Sequence, residues 1–127
     1  MIQVVCAVIL KENKILIAQR SEKMKLPLKW EFPGGKLEDG ENEEQAIIRE
    51  IKEELNIEIL PSRRISSHVH DYGSFKIKLI AHLCTYISGE IRLFEHKDVK
   101  LVPLELITNY DLADADLPVI EKLKEFL

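Results

Sequence analysis

The chain has 127 residues, 46% apolar and 31% charged, with a formal net charge of −4. That is the profile of one soluble domain, 1–127, able to bury a core without staples, and its acidic balance argues against a nucleic-acid polymer, which selects a basic footprint. The only cysteines, Cys6 and Cys84, sit in apolar runs and read as reduced core residues of a cytoplasmic protein. No basic leader or cleavage site follows Met1, and no apolar run is long enough to cross a bilayer, so no membrane partner is expected.

Ile2 to Leu10 is apolar and rich in β-branched residues, a buried strand. The polar turn Lys11 to Lys14 leads to a second strand, Ile15 to Gln19, so the two predict a hairpin. Arg20 opens a polar loop through Lys29, in which Pro27 disfavours a helix. Trp30-Glu31-Phe32 is a short extended piece before Pro33, and Gly34-Gly35 reads as a tight turn. A helix follows. Asn42 is its expected N-cap, with Gln45 as capping-box partner, and Asn56 stands where a left-handed residue would end it. At about 100° per residue, Glu50, Glu53 and Glu54 share one face, with Ile47, Ile48, Ile51 and Leu55 nearly opposite. Beyond it, Ile57 to Leu60 is extended and Pro61-Ser62 is expected to break it. Arg64 to Asp71 and Ser74 to Ile87 read as strands around Tyr72-Gly73. Val99 to Val102 is a short strand, Leu104 to Thr108 a helical turn, and Asp116-Leu117-Pro118 opens a final helix. Strands and hairpins around a central helix, with a second helix at the end, predict a mixed sheet between helices.

An acidic stripe is ordinarily the solvated face of an amphipathic helix. Here the like charges have little basic relief, which costs free energy on an isolated helix, and they follow a glycine pair where backbone can approach a ligand. Such a cluster suits a divalent cation and a polyphosphate. The spacing also resembles a known signature. Gly35, Glu41 and the run Arg49-Glu50-Ile51-Lys52-Glu53-Glu54-Leu55-Asn56-Ile57 match the Nudix box at every position except its last glycine, here Asn56. Trp30 to Lys36 resembles the run before the box in MutT-type enzymes. Ala115 to Ile120 resembles the C-terminal signature of that branch and of the related CTP pyrophosphohydrolases.

The resemblance implies an α/β/α sandwich of α/β (α+β) class with a central mixed sheet, the box helix on one side and the C-terminal helix on the other. It implies a hydrolase acting on acid anhydrides, which takes oxidised or pyrimidine nucleoside triphosphates to the monophosphate and pyrophosphate. That is nucleotide-pool sanitising, a form of DNA repair. Mg²⁺, with Mn²⁺ as the alternative, would be held by Glu50, Glu53, Glu54 and the Gly34 carbonyl. Glu50 matches the position that orients or deprotonates water, and Arg49 pairs with Glu41 to orient the glutamates. Glu95 is the candidate for a further metal ligand from a loop, beside His96. Arg20 matches a phosphate contact, and Phe32, Gly34, Gly35 and Lys36 line the substrate site. Asp116 occupies the position that reads the base edge. The plain alternatives are that Asp116 or Asp114 caps the last helix, that Phe32 and Trp30 are core, and that Glu95 is a solvated loop carboxylate. His68 and His70 alternate on a strand like a metal pair but lack the rest of a zinc constellation. The expected partner is a small nucleotide, taken up by a monomer or homodimer. The competing readings are a Nudix hydrolase of ADP-ribose or a nucleotide sugar, and a non-catalytic Nudix ligand sensor.

Overall fold

The computed structural model describes all 127 residues. The strands are β1 (Ile2–Lys11), β2 (Lys14–Gln19), β3 (Trp30–Glu31), β4 (Gly34–Lys36), β5 (Glu58–Asp71), β6 (Lys76–Ser88) and β7 (Asp98–Val102). The α-helices are α1 (Glu43–Leu55) and α2 (Leu117–Phe126), with short 3-10 turns at Leu104–Asn109 and Asp114–Asp116. All seven strands join one mixed sheet. β1 runs parallel to β6 along nearly its whole length and antiparallel to its other neighbours.

β1 is continuously apolar because both of its faces are covered. Val5, Ala7 and Ile9 pack toward α1 with Ile47, Ile51 and Leu55. Cys6 and Val8 point the other way, into the layer holding Val119, Ile120 and Leu123 of α2. The two cysteines belong to opposite layers, Cys6 to the α2 side and Cys84 to the α1 side. The expected sandwich is therefore the observed one. Ile48, placed on the apolar stripe of α1, is 36% exposed, and Ala46 completes the buried face instead.

Two readings are corrected. Pro61-Ser62 does not break the chain. β5 runs unbroken through both, with register shifts at Pro61/Arg63 and Arg64/Ser66. β5 lies at an edge of the sheet, so Pro61 owes no N–H to an outer neighbour, and the bulge absorbs its ring. Nor is Gly34-Gly35 a turn. Both residues are strand, paired with Cys6 and Val5 of β1.

That pairing positions the site. β1 changes partner along its length, from β4 at Val4–Cys6 to β2 at Leu10–Lys11. Between the two partners, β3 and the following Phe32-Pro33 cross from β2 to β1, where the Ala7 N–H donates to the Pro33 carbonyl at 2.9 Å. The sheet thus splits, and a cavity of about 760 Å³ opens at the split.

Candidate active site

One wall of the site is the helix α1. Asn42 and Gln45 exchange the two capping-box hydrogen bonds, at 2.8 and 2.9 Å, and Asn56 closes the helix in the left-handed conformation at φ 62°. The ends are thereby defined by local chemistry, and the face carrying Glu50, Glu53 and Glu54 is set relative to β4.

Arg49 organises that face. Its guanidinium donates to both oxygens of Glu41, at 2.7 and 3.0 Å, to Glu50 at 2.9 Å and Glu53 at 3.3 Å, and to the Lys36 carbonyl at 3.2 Å. A planar five-donor fork can serve that many acceptors; a lysine could not.

The two glycines act by close approach. A Cβ on Gly34 would collide with the backbone of Val5 and Cys6, and a Cβ on Gly35 would occupy the space of the Glu50 carboxyl. Neither has positive φ. The first lets β4 lie against β1; the second lets a carboxylate lie against β4.

The carboxylates differ. Glu53 is largely exposed. Burial pushes the Glu50 carboxyl up, opposed by Arg49. Glu54 is mostly buried and reaches into the cavity, with one carboxyl oxygen lacking any hydrogen-bond partner. Burial first, then the charges of Glu50, Glu31 and Glu95, push its pKa to about 9. A buried oxygen without a donor, ringed by negative charge, is a place where a cation would relieve the cost.

No group of three or more His, Cys, Asp or Glu side chains stands gathered to hold a metal ion. Arg49 holds Glu50 and Glu53 aside. A hard divalent ion that keeps several waters needs only one or two carboxylates from the protein, so the oxygen donors of this wall fit one.

The far end of the cavity is Asp116, only 5% exposed. It stands at the N-cap position of α2, but its side chain makes no capping hydrogen bond, and Asp114 makes none either. Instead it accepts the Phe32 N–H at 3.1 Å. The helix-cap alternative is therefore set aside. Pro118 in the first turn has no N–H to offer, and the preceding 3-10 turn swings Asp116 inward. Burial, with the charge of Glu31, pushes its pKa to about 8, opposed by the Phe32 N–H and Arg20. Burial thus favours the neutral acid, which can both donate and accept.

Other sequence candidates land in mixed positions. Phe32, Gly34, Gly35, Lys36 and Arg20 all line the cavity. Arg20 is already engaged, donating to Glu31 at 2.7 Å and to the carbonyl of Lys25. Trp30 is core, its ring edge-on to Tyr110. Glu95 is exposed, yet close enough for its charge to be felt at Glu54. His96 does not face the solvent; it is buried and paired with Glu31 at 2.8 Å. His68 and His70 do not form a metal pair. His68 bonds the Ala115 carbonyl at 2.8 Å, tethering the turn that presents Asp116, and His70 packs on Tyr72.

Sequence reasoning missed Glu31, Tyr72, Phe75 and Met24, all on the cavity wall. The stacked pair of Tyr72 and Phe75, 5.1 Å apart, lies where the β5–β6 turn is wider than expected, with β6 starting at Lys76. Only an aromatic flanking a turn signal hinted at it.

This geometry has counterparts. A family model described as the NUDIX domain matches residues 4–122. A CTP pyrophosphohydrolase of Escherichia coli (strain K12) is 37% identical over 95% of this chain and 90% of its own length. An 8-oxo-dGTP diphosphatase of Proteus vulgaris is 41% identical over 64% of this chain and 72% of its own. The solution structure of the E. coli ORF135 protein superposes with a TM-score of 0.89 at 36% identity, over 99% of this chain and 90% of that one. With the box on α1 and the sandwich around it, the chain belongs to the Nudix hydrolase family.

Proposed function

We propose that this chain hydrolyses nucleoside triphosphates, oxidised or pyrimidine, to the monophosphate and pyrophosphate, and so sanitises the nucleotide pool. One observation carries the reading: Glu54 with its unpartnered oxygen and the buried Asp116 line the same cavity. One end suits cation-bound phosphates, the other a polar base edge. The volume of about 760 Å³ suits a small ligand.

Glu50, Glu53 and Glu54, with the Gly34 carbonyl and Glu95, would hold Mg²⁺ or Mn²⁺. When bound, the cation would neutralise phosphate charge and favour attack by water at phosphorus. Glu50 would orient that water and take its proton, from a carboxylate held against Gly35 by Arg49. Arg20 and Lys36 would take phosphate oxygens, and Phe32, Gly34 and Gly35 would wall the nucleotide. Asp116 would read the base edge: neutral, it offers a donor and an acceptor, which suits both cytosine-type and oxo-purine edges.

The test is a panel of CTP, dCTP, 5-modified dCTP, 8-oxo-dGTP and ADP-ribose with Mg²⁺, scored by pyrophosphate and monophosphate release. A triphosphate turning over fastest is the expected result. ADP-ribose cleaved quickly with little triphosphate turnover would overturn it.

A further inference from the structure

Glu31 lines the cavity, and nothing above gives it a role. Its two oxygens have two different owners. One accepts from the Arg20 guanidinium at 2.7 Å and the other pairs with His96 Nε2 at 2.8 Å. Its side chain is 15% exposed and that of His96 is 0% exposed.

His96 is the only buried side chain from Glu90 to Lys97. Its Nδ1 has no partner, so Glu31 supplies the only hydrogen bond its ring makes. Backbone bonds from Arg92 to Leu55 and from Lys97 to Gln19, at 3.0 and 2.9 Å, fix the ends of this segment. Between them, His96 is the buried anchor, and its exposed neighbour Glu95 stands near enough for its charge to bear on Glu54.

Arg20 reaches the other way. Its side chain holds the Lys25 carbonyl, and its backbone bonds Lys29 and Leu28 at 2.8 and 3.0 Å. Leu26 and Leu28 adopt φ of 50° and 66°. Leucine rarely takes these values, and they persist only where surrounding bonds enforce them. Met24, Lys25 and Leu26 of this loop wall the cavity.

We propose that Glu31 is a positioning residue that joins two loops of the site, seating Glu95 through His96 and holding the Met24–Leu26 wall through Arg20. The proposal rests on the cation reading of the carboxylate wall given above. Each oxygen of Glu31 already has a partner, and its effect runs through those two partners. Loss of such outer support weakens metal binding by about 10- to 100-fold in metalloproteins generally.

The experiment uses nucleotide-free protein, Mn²⁺ as the probe, binding read by titration calorimetry and by the loss of free-Mn²⁺ resonance, and amide hydrogen exchange along the chain. Glu31→Ala is expected to weaken Mn²⁺ binding about tenfold and to speed exchange in residues 21–28. His96→Gln is expected to reproduce the Mn²⁺ loss alone, leaving exchange in 21–28 at the wild-type rate. Glu31→Gln keeps an acceptor for Arg20 and offers His96 a donor, and should restore most of both. If Glu31→Ala does not fold, His96→Gln and Glu31→Gln decide the matter. Mn²⁺ affinity within twofold of wild type in folded His96→Gln overturns the proposal, as does an effect in Glu31→Gln as large as in Glu31→Ala. Glu53→Gln is the control. If it too leaves Mn²⁺ affinity unchanged, the cation reading fails; if it weakens binding and the His96 variant does not, only the role of Glu31 fails.

Discussion

The carboxylate wall and the Asp116 end of the same cavity are built in opposite ways. Gly35, Glu41, Arg49, Glu50, Glu53 and Glu54 lie in one short stretch, and their contacts are mostly with one another. Asp116 is presented by a 3-10 turn and held by the backbone of Phe32, while His68 tethers the neighbouring Ala115. The first region is local and repeats as a motif; the second exists only once distant strands have met. On the proposed reading, reaction type is thus encoded compactly, and base preference is spread over the fold.

The sharpest way to break the carboxylate wall is Glu53→Gln. Because Glu53 is exposed, the fold should survive with an unchanged melting temperature. The turnover number should drop by on the order of 10²- to 10³-fold, as when a preorganised electrostatic group is removed. Near-wild-type turnover would refute its place at the cation.

The glycine pair separates the wall from the fold beneath it. Gly35→Ala meets only the flexible end of Glu50, so the carboxyl should move, activity should fall about 10²-fold, and thermal stability should hardly change. Gly34→Ala meets the backbone of Val5 and Cys6 and should cost about 1–3 kcal/mol of stability, as overpacking does. Thermal melts beside kinetics distinguish the two, and equal losses in both would contradict the assignment.

Asp116→Asn tests the distributed end. Its folded pKa of about 8 lies above the ordinary value of 3.8. Between these values the native state holds a proton that the unfolded chain has released. The Asp116 contribution to stability is therefore fullest below about pH 4 and declines as pH rises toward 8, by as much as ~1.4 kcal/mol per unit. Asparagine has no such loss, so the variant should gain in melting temperature relative to wild type between pH 5 and pH 8. Its substrate panel should shift toward guanine-type bases. A parallel pH dependence in both proteins would refute the buried, proton-bearing state.

Asn42→Ala should have the smallest effect, about 1 kcal/mol from the lost cap, with turnover preserved, as chemical denaturation and kinetics would show. A large loss of turnover would mean that the wall is less self-contained than its contacts indicate.

What was legible follows the same division. The ends of α1 were readable because capping is local: Asn42, Gln45 and Asn56 do what their side chains do in any helix. The Arg49–Glu41 pair was readable from the motif. Pro61 misled, because whether a proline breaks a strand depends on whether that strand is at an edge. Gly34-Gly35 misled because glycine serves turns and close approach alike, and only the position of β1 tells which. Asp116 could be placed near the last helix, but whether it capped that helix or turned inward was decided by the 3-10 turn before it.

By itself, the sequence determined the acidic helix, its caps, the spacing of its carboxylates and the apolar stripe that buries it. These rest on interactions within a few residues, or on a period that any neighbour would satisfy. Only the tertiary structure decided that β1 exchanges β4 for β2 and opens the cavity, that Glu54 keeps an unpartnered oxygen there, that Asp116 is buried with its carboxyl pushed above the ordinary range, and that Glu31 joins Arg20 to His96. Each of these depends on burial and on partners far away in the chain, and desolvation is a property of the assembled fold that no local spacing records.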